Sequence, residues 1–563
     1  MFIPATRQET ESLGWDRCDI ILVSGDACVD SPFMGTAVIG RVLMYAGYRV
    51  GIIAQPDMRD DRDIARLGEP LLFWGVSSGS VDSMVANYTA TGKRRMRDDL
   101  TPGGKNTRRP DRAVIAYANL IRRHFKDTVP IVLGGIEASQ RRVAHFDYWD
   151  DAIRRSILFD AKADILVYGM GERAVLEVAE RLRGGGDYRA IRGICHIATE
   201  KPGSFIELPS FERVSAERDE FIEMSRIFFK NADPAGGAGM VQRHGTRYLV
   251  HNPPAAPLSS EELDRIHGLG YEREVHPRCR KMGEVRALET VRFSITTHRG
   301  CFGGCAFCSI ATHQGSAVVS RSEASILAEA RGFTRDRRFR GIISDIGGPT
   351  ANMYGMLCRR MAGKGICEDR RCLTPHICRN MGMSHRSQIS LLKKIRKIPG
   401  VRKAFIASGI RHDLVMADRE AGEEYLNEVV RHHVSGQLKV APEHCVDRVL
   451  DLMGKPYVES LLAFRDLFSR LNRQTRKKQF LTYYFIAAHP GCTFEDMSEL
   501  GRFVARELQI VPEQVQVFTP LPSTWSALMF HTGRDPFSGE RLFVERSNRE
   551  KERQKRAVMR RKK

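Results

Sequence analysis

The chain has 563 residues, a net charge of +20 from 88 Lys and Arg against 68 Asp and Glu, and 42% apolar residues. That apolar share is enough for real cores, so a wholly disordered chain is excluded. Met1 to Asp19 is polar and no apolar run reaches spanning length, so neither a secretory signal nor a membrane helix is expected.

Residues 1–200 alternate apolar runs with helical patterns. Asp19 to Ser24 reads as a buried strand, Gly25, Asp26, Pro32 and Gly35 as a loop, Thr36 to Ala46 as a helix and Tyr48 to Ala54 as the next strand. Further strands are expected at Leu71–Val76, Val129–Leu133 and Ile165–Val167. This alternation predicts an α/β domain with a doubly wound, Rossmann-like parallel sheet. Gly134 to Glu137 and Tyr168 to Glu172 then fall at strand carboxyl ends, where such sheets bind ligands. Residues 201–286 read as a connecting region, with Gly-rich Ala235 to Met240, Pro-rich Asn252 to Pro257 and a capped helix start at Ser259-Ser260-Glu261-Glu262.

Six strand–helix units are expected over 287–530. The strands are Val291–Thr297, Gly341–Ile346, Lys403–Ala407, Gln437–Val440, Leu481–Ala487 and Gln514–Phe518. Helices fall between them, for example at Ser387–Lys397, Glu423–His432, Ser460–Leu471 and Thr493–Glu507. Residues 531–563 form a basic tail. From Arg546 to Lys563 it is dense in Lys and Arg and reads as disordered, serving either as a solubilising segment or as an attraction for nucleic acid.

The sharpest motif is Cys301-x3-Cys305-x2-Cys308. Three close thiolates can hold a 4Fe-4S cluster and leave one iron without a protein ligand, open to a cofactor. The competing reading is a zinc site, with His298 or His313 as the fourth ligand. Against zinc stand a strand leading into the loop, a helix from about Ser322 following it, and three glycines, Gly300, Gly303 and Gly304, that admit close backbone approach. A second cysteine group, Cys358, Cys367, Cys372 and Cys378 with His376 among them, invites a second iron–sulfur cluster or zinc, or else is four reduced buried thiols. Thirteen cysteines without an export signal point to a reducing, cytoplasmic setting. Cys18, Cys28, Cys195, Cys279, Cys445 and Cys492 read as core fillers, with Cys28 set apart by its loop position.

The three-cysteine motif resembles the signature of the radical S-adenosylmethionine (SAM) superfamily. That resemblance implies a partial (β/α)6 barrel over the six units, with SAM on the open iron and one-electron cleavage to a 5′-deoxyadenosyl radical. It implies an aromatic residue at Phe307 enclosing the adenine end of SAM. The superfamily's Gly-Gly-Glu appears here as Gly347-Gly348-Pro349, so exposed backbone carbonyls would take the SAM ammonium, assisted by Asp345 or Asn352. At later strand ends Ser408, Arg411 and Glu443 are candidates for the SAM carboxylate and ribose, Arg411 through its bidentate fork. The residue that acts on the substrate is not identified. Some radical SAM enzymes carry cobalamin on a doubly wound sheet, but the Asp-x-His-x-x-Gly cobalt motif is absent here; Asp26-Ala27-Cys28-Val29-Asp30-Ser31 stands in that loop.

The chain also resembles the YgiQ family of radical SAM proteins. The strings that carry this include Gly25-Asp26, Gln55-Pro56-Asp57, His251-Asn252-Pro253-Pro254, Thr296 to Cys301, His313-Gln314-Gly315, Ser320-Arg321-Ser322, Gly347 to Met353, Ala441-Pro442-Glu443-His444 and Lys455-Pro456. The resemblance implies a SAM-cleaving enzyme without naming its substrate, fed by a low-potential flavodoxin or ferredoxin. Two other functions compete: a radical SAM RNA methyl- or methylthio-transferase, and a non-catalytic iron–sulfur protein that binds nucleic acid.

Overall fold

A computed structural model describes residues 1–231, 237–361, 367 and 372–559. They form two compact units. The first comprises Met1–Pro257 and Arg265–Arg292; the second comprises Leu258–Asp264 and the chain from Phe293 onward. Ala235 and Gly236 of the Gly-rich stretch and the last four residues of the tail lie outside the described residues.

The first unit is built on nine strands: β1 Ile20–Ser24, β2 Val50–Ala54, β3 Phe73–Ser77, β4 Ile131–Gly134, β5 Ile165–Val167, β6 Ile194–Ala198, β7 Ile206–Leu208, β8 Met240–His244 and β9 Arg247–His251. The sheet order is β7-β8-β9-β6-β5-β4-β3-β1-β2. From β2 to β5 every pairing is parallel; β5–β6, β6–β9 and β9–β8 are antiparallel, and β8–β7 is parallel again. Every residue of β1 and β2 is buried. Helices cover both faces of a parallel sheet, which is why these strands read as unbroken apolar runs. The segment read as a connector therefore supplies β7, β8 and β9 and widens the sheet.

The order β2-β1-β3-β4-β5 is that of the flavodoxin-like doubly wound fold, whose switch point lies between β1 and β3. Here that crevice is filled by the protein's own side chains. Arg109 is completely buried, and its Nη2 donates to Asp26 Oδ1 at 2.9 Å and Asp98 Oδ2 at 3.1 Å. Its Nη1 donates to the Ser78 carbonyl at 2.5 Å. Gln55 Nε2 donates to the Gly25 carbonyl at 2.9 Å and to Thr101 Oγ1 at 2.6 Å. Gly79 lies so close to Asp26 that a Cβ there would come within 2.2 Å of its carboxyl carbon. Farther along the sheet, the segment expected as a loop after β4 is the helix Gly135–Gln140, and its Glu137 carboxylate accepts from the backbone N–H of Ser83 at 2.8 Å and Val114 at 3.1 Å, tying it to two other helix starts. Cys28 is buried, and burial pushes its thiol well above the ordinary range.

The second unit contains β10 Ser294–Thr296, β11 Ile342–Ile343, β12 Asp345–Gly347, β13 Lys403–Ala404, β14 Gln437–Glu443, β15 Phe480–Ala487 and β16 Gln514–Val517. β10 pairs parallel with β12, β11 with β13, β14 with β15 and β15 with β16. A parallel bridge from Ile410 to Val440 links the β13 and β14 segments. The six expected strands thus fall in sequence order along one parallel arc, with β11 and β12 as two parts of the second. The first of them is shorter than expected, because Ala287–Val291 is helical. Helices between the strands bury their apolar faces in one core around Ile326, Leu392, Leu426, Phe464 and Leu500.

The tail departs from the expectation of disorder. Asn548–Met559 is a helix whose Lys551, Gln554 and Val558 are buried. Val558 joins the core, and Gln554 Oε1 accepts the Ala488 N–H at 3.0 Å. Lys551 lies over the Phe530 ring at 5.2 Å. The charges sit on the outer face of an amphipathic helix rather than on a solvated coil.

Candidate functional site

The strand ends of the second unit bring the sequence candidates together. The cysteine loop starts just past β10. Its shape comes from backbone hydrogen bonds: Cys301 N–H to the Gly315 carbonyl at 3.3 Å, Ala306 N–H to the Met453 carbonyl at 2.9 Å, and Ser526 N–H to the Ala306 carbonyl at 2.9 Å. Gly300 has φ +80 and its α-carbon faces the Ala317 carbonyl so closely that a Cβ would lie 1.8 Å from the oxygen. Gly454, with φ +67 at the end of a short helix, packs against the loop, where a Cβ would lie 3.2 Å from the Gly304 carbonyl oxygen and 3.6 Å from the Cys305 α-carbon.

Cys301, Cys305 and Cys308 are all partly exposed. A single point beside Gly303, where a Cβ would sit, lies 3.1 Å from Cys301 Sγ, 3.6 Å from Cys305 Sγ and 3.3 Å from Arg411 Nη1. Two sulfurs and a guanidinium therefore converge on a space that only glycine leaves open. Gly303 N–H donates to Cys301 Sγ at 3.3 Å, and Thr350 Oγ1 lies 3.3 Å from the same sulfur. Arg411 Nη1 lies 3.9 Å from Cys305 Sγ. Burial pushes the Cys301 thiol up, against the Thr350 hydrogen bond, and pushes Cys308 to about 12. Among the described residues no three Cys, His, Asp or Glu side chains form a ready single-ion site. Thiolates that each bind a different iron of a cluster need not meet at one point. The donor set and its glycine cradle fit a cluster.

Each remaining candidate has a partner. Gly347 makes room for Ser408, whose Oγ would lie 2.6 Å from a Cβ there. The Gly347 carbonyl accepts the Thr297 N–H at 2.7 Å. Ser408 Oγ donates to Asp345, and Asp345 Oδ1 accepts the Ala407 and Ser408 N–H groups at 2.7 and 3.0 Å. Gly348 lies under the His298 ring, which a Cβ would approach to 2.6 Å. His298 is held at Nδ1 by Thr297 Oγ1 at 2.9 Å, and burial lowers its pKa to about 4. Phe307 packs edge-on to His489 with ring centres 6.4 Å apart. Glu443, at φ 69 on a bulge of β14, is buried and pairs with Lys455 Nζ at 3.6 Å. Burial raises its pKa, and Lys455 opposes the rise.

The fork of Arg411 that suits a carboxylate is taken by Asp413, with Nε to Oδ1 at 2.9 Å and Nη2 to Oδ2 at 2.7 Å. Burial opposes ionisation of Asp413, but Arg411 outweighs it and holds the carboxyl at about 2. Only Nη1 is left to face the thiols. Sequence reasoning missed the support behind it. Asn352 accepts the Arg411 N–H at 2.9 Å and donates to the Arg411 carbonyl at 3.0 Å. Asn352 Nδ2 lies 3.2 Å from His385 Nε2, and His385 Nδ1 lies 2.8 Å from Asp418 Oδ2. This order makes His385 a donor to Asp418 through Nδ1 and an acceptor through Nε2. Lys455 and Thr350 were present in the family strings, but their spacing assigns them no role.

The second cysteine group is gathered in part. Cys358, Cys372 and Cys378 pack with Cys301 against Phe302, Met353, Met356 and Met381. Cys378 Sγ accepts the Asn380 N–H at 3.5 Å, and the Cys378 N–H donates to the Cys372 carbonyl at 2.8 Å. Cys367 is partly exposed, and residues 362–366 and 368–371 beside it lie outside the described residues.

A family described as Radical SAM N-terminal matches residues 2–294. A UPF0313 protein of Fusobacterium nucleatum is 50% identical over 555 residues, covering 98% of each chain. One from Thermotoga maritima is 50% identical over 566 residues, covering 100% of this chain and 99% of its own. One from Methanocella arvoryzae is 50% identical over 552 residues, covering 97% and 91%. Among solved structures, the radical SAM methyltransferase TsrM of Kitasatospora setae, with cobalamin and a [4Fe-4S] cluster bound, is similar at a TM-score of 0.51 and 16% identity, over 91% of this chain and 77% of that one. The cobalamin-dependent enzyme OxsB, with aqua-cobalamin and SAM bound, is similar at 0.50 and 12% identity, over 91% and 55%. At those identities the likeness concerns fold alone. The relatives' identity over nearly their full length, with the amino-terminal match, places this chain in the UPF0313, YgiQ-like family of radical SAM proteins.

Proposed function

We propose that the second unit is a radical SAM catalytic core in which Cys301, Cys305 and Cys308 hold a 4Fe-4S cluster and SAM completes the fourth iron. The observation that carries this is the convergence of Cys301 Sγ, Cys305 Sγ and Arg411 Nη1 around Gly303. When bound, cluster and SAM supply one-electron cleavage of a sulfonium C–S bond and so a hydrogen-abstracting radical. The chain's own residues do the rest. The buried guanidinium of Arg411 sets a positive charge beside the thiols, and Asp413 and Asn352 keep it there. Gly347 and Gly348, at the end of β12, let Ser408 and the His298 ring pack close to the backbone there. Glu443 with Lys455 offers polar contacts to a ribose, and Phe307 with His489 an aromatic wall to an adenine. A low-potential flavodoxin or ferredoxin would deliver the electron. His298, a candidate fourth ligand on the zinc reading, is held at Nδ1 by Thr297 Oγ1 at 2.9 Å.

Cobalamin, bound in the solved neighbours, does not fit the switch-point crevice of this chain, because Arg109, Asp26 and Asp98 fill it.

The test is anaerobic. The protein is reconstituted with iron and sulfide, reduced and mixed with SAM, and the EPR spectrum and 5′-deoxyadenosine are followed. A spectrum that shifts on SAM addition, with deoxyadenosine formed, is expected. Each of Cys301→Ala, Cys305→Ala and Cys308→Ala should abolish both. SAM turnover that survives these changes would sink the proposal. Iron content separates one cluster from two, since a second cluster on Cys358, Cys367, Cys372 and Cys378 would double it.

A further inference from the structure

The connection that leaves β3 in the first unit carries exposed Lys93, Arg94, Arg95, Arg97, Lys105 and Arg108 within sixteen residues. It is a folded ribbon and not a slack loop. Its middle stretch bridges antiparallel to Tyr88 on one side, through Arg94, and to Lys105 on the other, through Arg97. Four backbone hydrogen bonds pin it: Thr89 N–H to the Lys93 carbonyl at 2.8 Å, Arg95 N–H to Asn87 at 2.7 Å, Asp98 N–H to Gly104 at 3.1 Å, and Asn106 N–H to Met96 at 3.1 Å. Its base is anchored by the fully buried Arg109.

The charges on this ribbon are not balanced within the protein. Among the described residues none of the six cations is ion-paired with a carboxylate. Asp98 is spent on Arg109, which leaves Asp99 as the exposed acid of the stretch. Arg97 and Lys105 stand directly across from each other. Like charges at opposed positions of an antiparallel pair are destabilising. A sequence that keeps them breaks a local rule, and such breaks mark functional surfaces. Lys93, Arg94, Arg95 and Arg97 fall within five residues and are all exposed, with Arg95 Nε turned back to the Val85 and Tyr88 carbonyls at 3.1 and 3.2 Å. Between the cations Met96 is 82% exposed, and Arg94 lies 5.7 Å from the Tyr88 ring centre. An apolar tip and an aromatic ring beside unpaired cations suit unstacked bases.

We propose that this ribbon is a docking surface for single-stranded RNA, whose phosphates neutralise Lys93, Arg97, Lys105 and Arg108. RNA is the nucleic acid that presents unpaired loops in its folded state. The ribbon is extended and not an amphipathic helix, so it lacks the apolar face that holds such helices on a membrane. The switch-point crevice beside it is closed by Arg109, which leaves the ribbon surface, and not a pocket, to meet a ligand. The inference does not depend on the cluster reading, and protein with or without reconstituted iron is expected to bind alike.

The experiment uses the full chain and fluorescence anisotropy. The probes are a labelled single-stranded RNA, single-stranded DNA of the same sequence, duplex RNA, and vesicles of phosphatidylserine with phosphatidylcholine. The variant Lys93→Gln/Arg97→Gln/Lys105→Gln removes charges whose side chains make no hydrogen bond within the ribbon and relieves the opposed pair. It is expected to melt no lower than wild type while binding the single-stranded RNA roughly tenfold or more weakly, with a salt slope reduced by about 2, since each single-strand phosphate contact contributes about 0.7. If the triple variant is poorly folded, Lys105→Gln alone carries the test, with a slope change of about 0.7. Unchanged RNA affinity in these variants overturns the proposal. So does a wild type that binds the vesicles but not RNA. Equal affinity for single-stranded DNA or duplex RNA overturns the assignment to single-stranded RNA.

Discussion

Replacing Asp413 with Asn tests whether the Arg411 guanidinium is held as a buried charge. Both side chains are under one-tenth exposed, and their two-point fork is the main partner of the cation. Asn keeps one acceptor but loses the charge and turns an N–H2 toward Arg411. Breaking a buried pair by removing one partner typically costs about 3–5 kcal/mol, because the other charge stays buried and unpaired. Equilibrium urea unfolding of iron-free protein reads this directly, with hydrogen exchange over His412–Ala417 confirming that the loss is in the second unit. Replacing both partners, Arg411→Met with Asp413→Leu, should return stability to within about 1 kcal/mol of wild type, since an apolar pair of similar volume substitutes for the ions. The double variant would still lack the cation beside Cys305 and should bind a cluster with a shifted reduction potential. A loss below about 1 kcal/mol in Asp413→Asn would refute the reasoning, because solvent would then be screening the pair.

Gly348→Ala places a Cβ 2.6 Å from the buried His298 ring, so overpacking of about 1–3 kcal/mol is expected in thermal unfolding. A shortened chain ending at Ser547 loses Val558 from the core and the Gln554 bond to Ala488, roughly 2–4 kcal/mol together, and should unfold its second unit at lower urea than the full chain. Asp418 gives an acid-side dependence. Burial opposes its ionisation, but the His385 side chain and backbone outweigh burial and hold it at about 2. A carboxyl depressed below its unfolded value of about 3.9 stabilises above that pH and loses the contribution as pH falls toward 2. His385→Phe should flatten the melting profile across that window; an unchanged profile would show that the His385–Asp418 contact is not what depresses the group.

The parallel strands β1 to β5 and those of the second unit were legible because they are apolar runs with helices between them, whereas β6 to β9, which extend the sheet with antiparallel pairs, were not read as strands. Strand order was not legible, since the paired residues of β1 and β3, Ile20 with Phe73 for example, are 53 positions apart and nothing local says they adjoin. The loops at β4 and β5 read as ligand sites by position. Glu137 shows why position was not enough: its carboxylate is consumed by two backbone N–H groups, and no spacing rule foretells that. The tail was misread because its composition outweighed its pattern. Lys551, Gln554 and Val558 recur at three and four residues, one face of a helix, among nine neighbours of which six are charged. The cysteine triad was visible because its chemistry is local. The Asp418–His385–Asn352–Arg411 chain was not, because 33 residues separate Asp418 from His385 and 59 separate Asn352 from Arg411.

The loop that carries the three cysteines is fastened by its own backbone, through Ala306 to Met453, Ser526 to Ala306 and Cys301 to Gly315. None of those bonds needs a metal. The ordering entropy that a zinc finger must recover from its ion is met here during folding. On the proposed reading the loop is shaped before a cluster arrives. The same preparedness leaves the thiols open to whichever thiophilic ion arrives first, so the metal found in a preparation will record its history as much as the protein's preference.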